Sequence, residues 1–241
     1  MKEVKRSFLV DVHASQRENQ VRKDRSPLIK IPGQKFARVF FIQIWYNGFM
    51  KYKIAVSGAA QINHCSKSAP KLTEELGKEI ARQKCVLITG ATTGIPYFAA
   101  EGCKKSGGFS IGFSPAASEA AHIKAYKLPT EYFDLIIYTG FDYSGRNLLM
   151  TNAADGVIIV CGRMGTLNEF TTAFEDQKPI GVLEGTGGTA DKIRLIATGP
   201  SRGTKKIIYE KNPKKLVKKL ISLIEKEKRK NNALGRRAKK S

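Results

Sequence analysis

The sequence predicts an α/β fold: a doubly wound, mostly parallel, Rossmann-like sheet in a single domain. Three observations predict it. From residue 50 onward, short β-branched runs alternate with helical stretches. Those runs are apolar at every position rather than at every second one, as strands covered on both faces are. A chain of 241 residues with 41% hydrophobic content is long enough for one core of this size.

The elements follow in order. KIAVS, 53–57, reads as the first strand, and 69–83 as a helix with Leu72, Leu76 and Ile80 on one face. CVLIT, 85–89, is a strand, 95–107 a helix, and FSIGF, 109–113, a third strand. DLIIYT, 134–139, and GVIIV, 156–160, are strands separated by a helix over about 145–154. A helix from about Thr166 to Asp176 leads to PIGVL, 179–183, and KKIIY, 205–209, precedes an amphipathic helix beginning near Pro213.

The domain boundaries expected are 1–49 for an N-terminal extension, 50–225 for the Rossmann-like domain and 226–241 for a basic tail. The extension has no clean periodicity. Two readings of it stay open: Met50 is the native start and the upstream stretch is disordered or not native, or an arm packs on the domain through Phe40, Phe41 and Trp45.

The net charge is +21, and it sits at the ends. Residues 1–49 carry ten basic and four acidic side chains and residues 205–241 fifteen and three, which leaves the segment between them only +3. The basic tail points toward nucleic acid through non-specific counterion release, or is simply a solvated lysine-rich end. No apolar run reaches the length of a membrane span, and the N-terminus has only a three-residue apolar run, too short for a secretory signal. The four cysteines are dispersed, with no CxxC pair. They read as reduced thiols in a cytoplasm, and no metal site is expected.

In a sheet of this type ligands bind beyond the carboxyl ends of the strands, so the post-strand turns are the places to search. After the first strand, Ser57 offers a hydroxyl, and Gly58 with Ala59 and Ala60 permits close backbone approach. His64 and Cys65 in the same loop read as bystanders. TGATTGIP, 89–96, brings Gly90, Thr92, Thr93 and Gly94 to a helix start, where free amides and the helix dipole suit a phosphate. It is not GxGxxG, which disfavours a dinucleotide. Arg146 reads as the opening of a helix, its guanidinium suited to phosphate or to a developing charge. Last, in CGRMGTLNE, 161–169, Gly162 and Gly165 leave the backbone bare beside Arg163, Thr166 and Glu169. Thr166 and Glu169 also fit a capping box, Thr-x-x-Glu, and local chemistry does not separate a cap from a catalyst.

In this order, CGRMGTLNE, TGATTGIP, SGGFSIGFSP (106–115) and GRNLLMTNAADGVIIV (145–160) resemble the LOG family, also called lysine-decarboxylase-like. Its hallmark is PGGxGTxxE, and it is related to the fold of the DNA-processing protein A. The resemblance spans about residues 50–225. It implies that Gly165 and Thr166 grip the phosphate, and Gly58, Gly90, Thr92, Thr93, Gly94 and Gly162, read from the turns themselves, complete the expected ligand-binding set with Arg163, which either binds the phosphate or blocks the pocket. It also implies that Arg146 and Glu169 serve cleavage of the N-glycosidic bond of a nucleoside 5′-monophosphate, as a phosphoribohydrolase that requires no metal or redox cofactor. Cys161 stands where the motif has proline, Arg163 where it has its second glycine, and Asn147 where LOG enzymes follow the arginine with lysine. These departures, with SGGFSIGFSP, resemble a branch near molybdenum-cofactor carrier proteins. That branch implies the alternative function, a non-catalytic carrier or sensor of a molybdopterin-type or other phosphorylated ligand. The family further implies a homodimer or higher homo-oligomer.

Overall fold

The computed structural model describes residues 50–198 and 206–238. The expected extension, 1–49, lies outside the described residues. Seven strands form one sheet: β1 (Lys53–Gly58), β2 (Val86–Thr89), β3 (Phe109–Ser114), β4 (Leu135–Tyr138), β5 (Gly156–Val160), β6 (Ile180–Leu183) and β7 (Ile207–Glu210). Between them run α1 (Ala69–Arg82), α2 (Ile95–Lys105), a π-helical turn (Ala121–Ala125), α3 (Asp142–Ala153), α4 (Met164–Glu175) and α5 (Gly188–Ile196), with α6 (Pro213–Ala238) last.

The strand order is β4-β3-β2-β1-β5-β6-β7, and every neighbouring pair is parallel. The chain therefore builds outward from β1 to one edge, returns, and lays β5 against the other side of β1. That reversal creates a switch point between β1 and β5, the position at which open α/β sheets hold ligands.

Alternation along the strands feeds two apolar layers. Ile54, Val56, Ile158 and Val160 face one side, where Leu76 and Ile80 of α1, Ile95 of α2, and Leu216 and Leu220 of α6 cover them. Ala55, Val157 and Ile159 face the other, beneath Met150 of α3, Phe170 of α4 and Ile193 of α5. Burying each of these large side chains is worth about 1.5–3 kcal/mol, which is what drives the strands into the middle layer.

The predicted helices and strands all form, with ends displaced by a few residues. Two displacements matter. The third helix starts at Asp142, so Arg146 lies a turn inside it rather than at its opening. The last helix runs unbroken from Pro213 to Ala238, so residues 226–238 continue it; Lys228 reaches Asp155 at 3.0 Å and Glu227 reaches Lys206 at 2.7 Å. Among the described residues no helix is long and apolar enough to cross a membrane.

Candidate functional site

A cleft of about 380 Å³ opens at the carboxyl ends of β1, β2 and β5, at the switch point. Ser57 and Gly58 at the end of β1, Gly90 and Thr92 after β2, Arg146 on α3, and Arg163, Gly165, Thr166 and Glu169 at the start of α4 line it. The strands bring these segments together because each post-strand turn leaves the sheet on the same edge.

Glu169 is the centre of the arrangement. Its side chain is buried, and its Oε2 accepts a short hydrogen bond from the Ser57 hydroxyl. Its Oε1 lies 3.6 Å from Nη1 of Arg146, also buried. With the Asn147 amide nitrogen turned toward the carboxylate, the orientation its neighbours favour, it donates to Oε1 at 2.9 Å. The Ser57 hydroxyl, which the sequence offered to a ligand, is thus spent on Glu169.

These contacts remove the capping-box alternative. The N-cap of α4 is Arg163, with no side chain closing the cap, so Thr166 is already the third helical residue and Glu169 the sixth. A capping box needs its hydroxyl residue at the N-cap itself. The uncapped first turn leaves the helix N-terminus, with Gly165 and Thr166 on the cleft wall, available to an anion.

Arg146 explains a glycine. A β-carbon on Gly90 would come within 1.9 Å of Nη1, so the guanidinium can pass only over bare backbone. The Arg146 Nε has no hydrogen-bond partner although it is buried, and Nη1 has a sulfur contact, Met150 Sδ at 3.8 Å.

Electrostatics follow from burial. Loss of water pushes the Glu169 carboxyl above its ordinary value, with the Arg146 charge and the Ser57 hydrogen bond pulling the other way. The same desolvation lowers Arg146, opposed by Glu169.

The other predicted residues divide. Gly58, Gly90, Thr92, Arg163, Gly165 and Thr166 line the cleft. Thr93, Gly94 and Gly162 stand behind it: the Thr93 hydroxyl donates to the Ala60 carbonyl at 3.1 Å, and Gly94 packs on the Ala59 carbonyl. Gly162 takes a φ of +99°, with Thr166 filling the space a β-carbon would need. Arg163 is exposed and tied sideways, its Nε donating to His64 Nδ1 at 3.4 Å and its Nη1 to Gln61 Oε1 at 3.2 Å.

The expectation of four reduced thiols is corrected. Cys65 and Cys161 form a disulfide, their Cα atoms 5.6 Å apart, while Cys85 and Cys103 are free and buried. Spacing missed it because the two lie 96 residues apart in the chain, and only the β1–β5 pairing makes them neighbours. The bond ties the loop after β1 to the turn that opens α4.

Comparisons with known proteins agree with this architecture. The model of the SLOG cluster4 family matches residues 51–217. An uncharacterized protein of Archaeoglobus fulgidus is 26% identical over 132 residues, 55% of this chain and 80% of its own. The structure of the molybdenum cofactor binding protein from the phototrophic bacterium Rippkaea orientalis superposes with a TM-score of 0.59 at 26% identity, covering 72% of this chain and 98% of that one. DNA processing protein A from Helicobacter pylori, a single-stranded DNA binder, shares the fold at a TM-score of 0.52 and 18% identity, over 72% of this chain and 81% of that one.

Proposed function

The chain belongs to the SLOG cluster4 family, and from that premise we propose that it binds a small phosphorylated ligand, a nucleoside 5′-monophosphate, in the switch-point cleft and hydrolyses its N-glycosidic bond. The observation that carries the reading is the pair of buried side chains on the cleft wall, Arg146 and Glu169, with Nη1 and Oε1 3.6 Å apart. The phosphate takes the uncapped N-terminus of α4 at Gly165 and Thr166, with Arg163 at the rim.

Chemistry then falls to Glu169. As the C1′–N bond breaks, the electron pair leaves with the base and positive charge develops on the ribose. A carboxylate beside C1′ stabilises that charge or takes a proton from the attacking water, whose oxygen bonds C1′ while the base is protonated.

The second reading is a carrier or sensor that holds a molybdopterin-type or other phosphorylated ligand without turnover. What favours it is the engagement of both Glu169 oxygens, by Ser57 and by Asn147 with Arg146, and the likeness to a molybdenum cofactor binding protein. One experiment separates the two. The full chain is incubated with purine and pyrimidine nucleoside 5′-monophosphates, and released base is followed by chromatography beside Glu169→Gln. Release that the variant lacks supports the hydrolase; ligand-dependent gain in Tm without release supports the carrier.

The same reading includes self-association. Phe141, Tyr143, Leu148 and Leu149 of the α3 region are large, apolar and exposed, and Tyr143 reaches the cleft wall. We take this face as the contact between two copies, placed next to each cleft.

A further inference from the structure

Beside the cleft, and outside its wall, three groups that bind metals converge. The two sulfurs of Cys65 and Cys161 and one imidazole nitrogen of His64 all lie within 4.8 Å of one another. We propose that, once the disulfide is reduced, these three side chains form a binding site for a thiophilic divalent cation, Zn²⁺ above all.

The hydrogen bonds prepare the histidine for this role. Arg163 Nε can only donate, so His64 Nδ1 accepts from it at 3.4 Å and carries the lone pair; the proton of the neutral ring is then on Nε2, which donates to the Gly162 carbonyl at 3.1 Å. A backbone carbonyl that fixes one ring nitrogen and leaves the other as a ligand is the arrangement metal-binding histidines have. The contact the cation would replace is the long one, to Arg163. His64 is exposed, which gives the ion an entry path. Two thiolates and an imidazole match the donor set of zinc and leave a fourth position for water.

The chemistry balances with a dithiol as reductant. It gives two hydrogens to the sulfurs, breaking the S–S bond, and is itself oxidised to a disulfide. Binding of the cation then displaces the two thiol protons to solvent, and the resulting centre is neutral. Cys85 and Cys103 do not compete, because burial pushes their thiols up to about 11 and about 12.

The test uses the full chain, reduced with a dithiol, freed of reductant under argon and titrated with Co²⁺ and then Zn²⁺. The expected result is a thiolate-to-cobalt charge-transfer band with tetrahedral d–d bands, saturating at one equivalent and abolished by Zn²⁺. Unreduced protein gives neither. Cys65→Ser abolishes the bands, and His64→Ala, which leaves both sulfurs in place, weakens binding about tenfold or more. Reduced protein without the bands overturns the proposal, as do bands of unchanged strength in Cys65→Ser or unchanged affinity in His64→Ala.

Discussion

Gly90 passes so close under Arg146 that a β-carbon on it would meet Nη1 at 1.9 Å. The glycine is therefore a condition for the arginine's place beside Glu169. Gly90→Ala should push the guanidinium off the carboxylate, with an overpacking cost of about 1–3 kcal/mol. Urea denaturation reads that cost, and isothermal titration with a nucleoside monophosphate reads the larger effect, loss of binding. Retained affinity would mean that Arg146 does not touch the ligand.

Arg146→Met leaves a buried carboxylate without its cation. Breaking such a pair costs about 3–5 kcal/mol when the remaining group stays charged. Burial already holds the Glu169 carboxyl above its ordinary value, so its contribution to stability is complete below the unfolded value and is lost as pH rises through the folded one. Removing the opposing charge extends that shift. The variant's deficit against wild type should shrink as pH falls, because protonating the carboxyl removes the uncompensated charge. A deficit that does not vary with pH in urea melts would contradict the buried charge pair.

The cysteines should label in three steps. Native, unreduced protein treated with iodoacetamide gains no label, because one pair is bonded and burial pushes the Cys85 and Cys103 thiols up to about 11 and about 12. Reduction without unfolding exposes Cys65 and Cys161, and reduction in denaturant exposes all four. Intact-mass measurement counts the adducts. Labelling of Cys85 or Cys103 in the native state would show that α1 and α2 cover them less well than the packing implies.

Charging the α3 face tests the contact between copies. Leu148 is 49% exposed, so Leu148→Glu should leave the Tm of the isolated domain within about 0.5 kcal/mol of wild type in stability terms. If this face joins two copies, sedimentation should shift from dimer to monomer. An unchanged oligomeric state would place the contact elsewhere or remove it.

Much of this was legible along the chain. Continuous apolar strands announced a parallel sheet, the parallel sheet directed attention to the post-strand turns, and those turns hold Gly58, Gly90, Thr92, Arg146, Arg163, Gly165, Thr166 and Glu169 around one cleft. What the chain leaves open or hides lies at helix starts. Thr166 and Glu169 have the spacing of a capping box, and only the position of the N-cap at Arg163 shows that they are not one. The sequence puts Arg146 at a helix opening, whereas α3 begins at Asp142 and carries the arginine inward.

By itself the sequence determined the alternation of strands and helices, and with it the sheet and the edge where the cleft opens, because those depend on periodicities a few residues long. The partners of each reactive group were decided by the tertiary structure. Ser57 meets Glu169 across 112 residues, and Cys65 meets Cys161 across 96. Both meetings depend on β5 returning to pair with β1, a non-local choice made by burying both faces of the sheet at once. No short stretch of sequence encodes it.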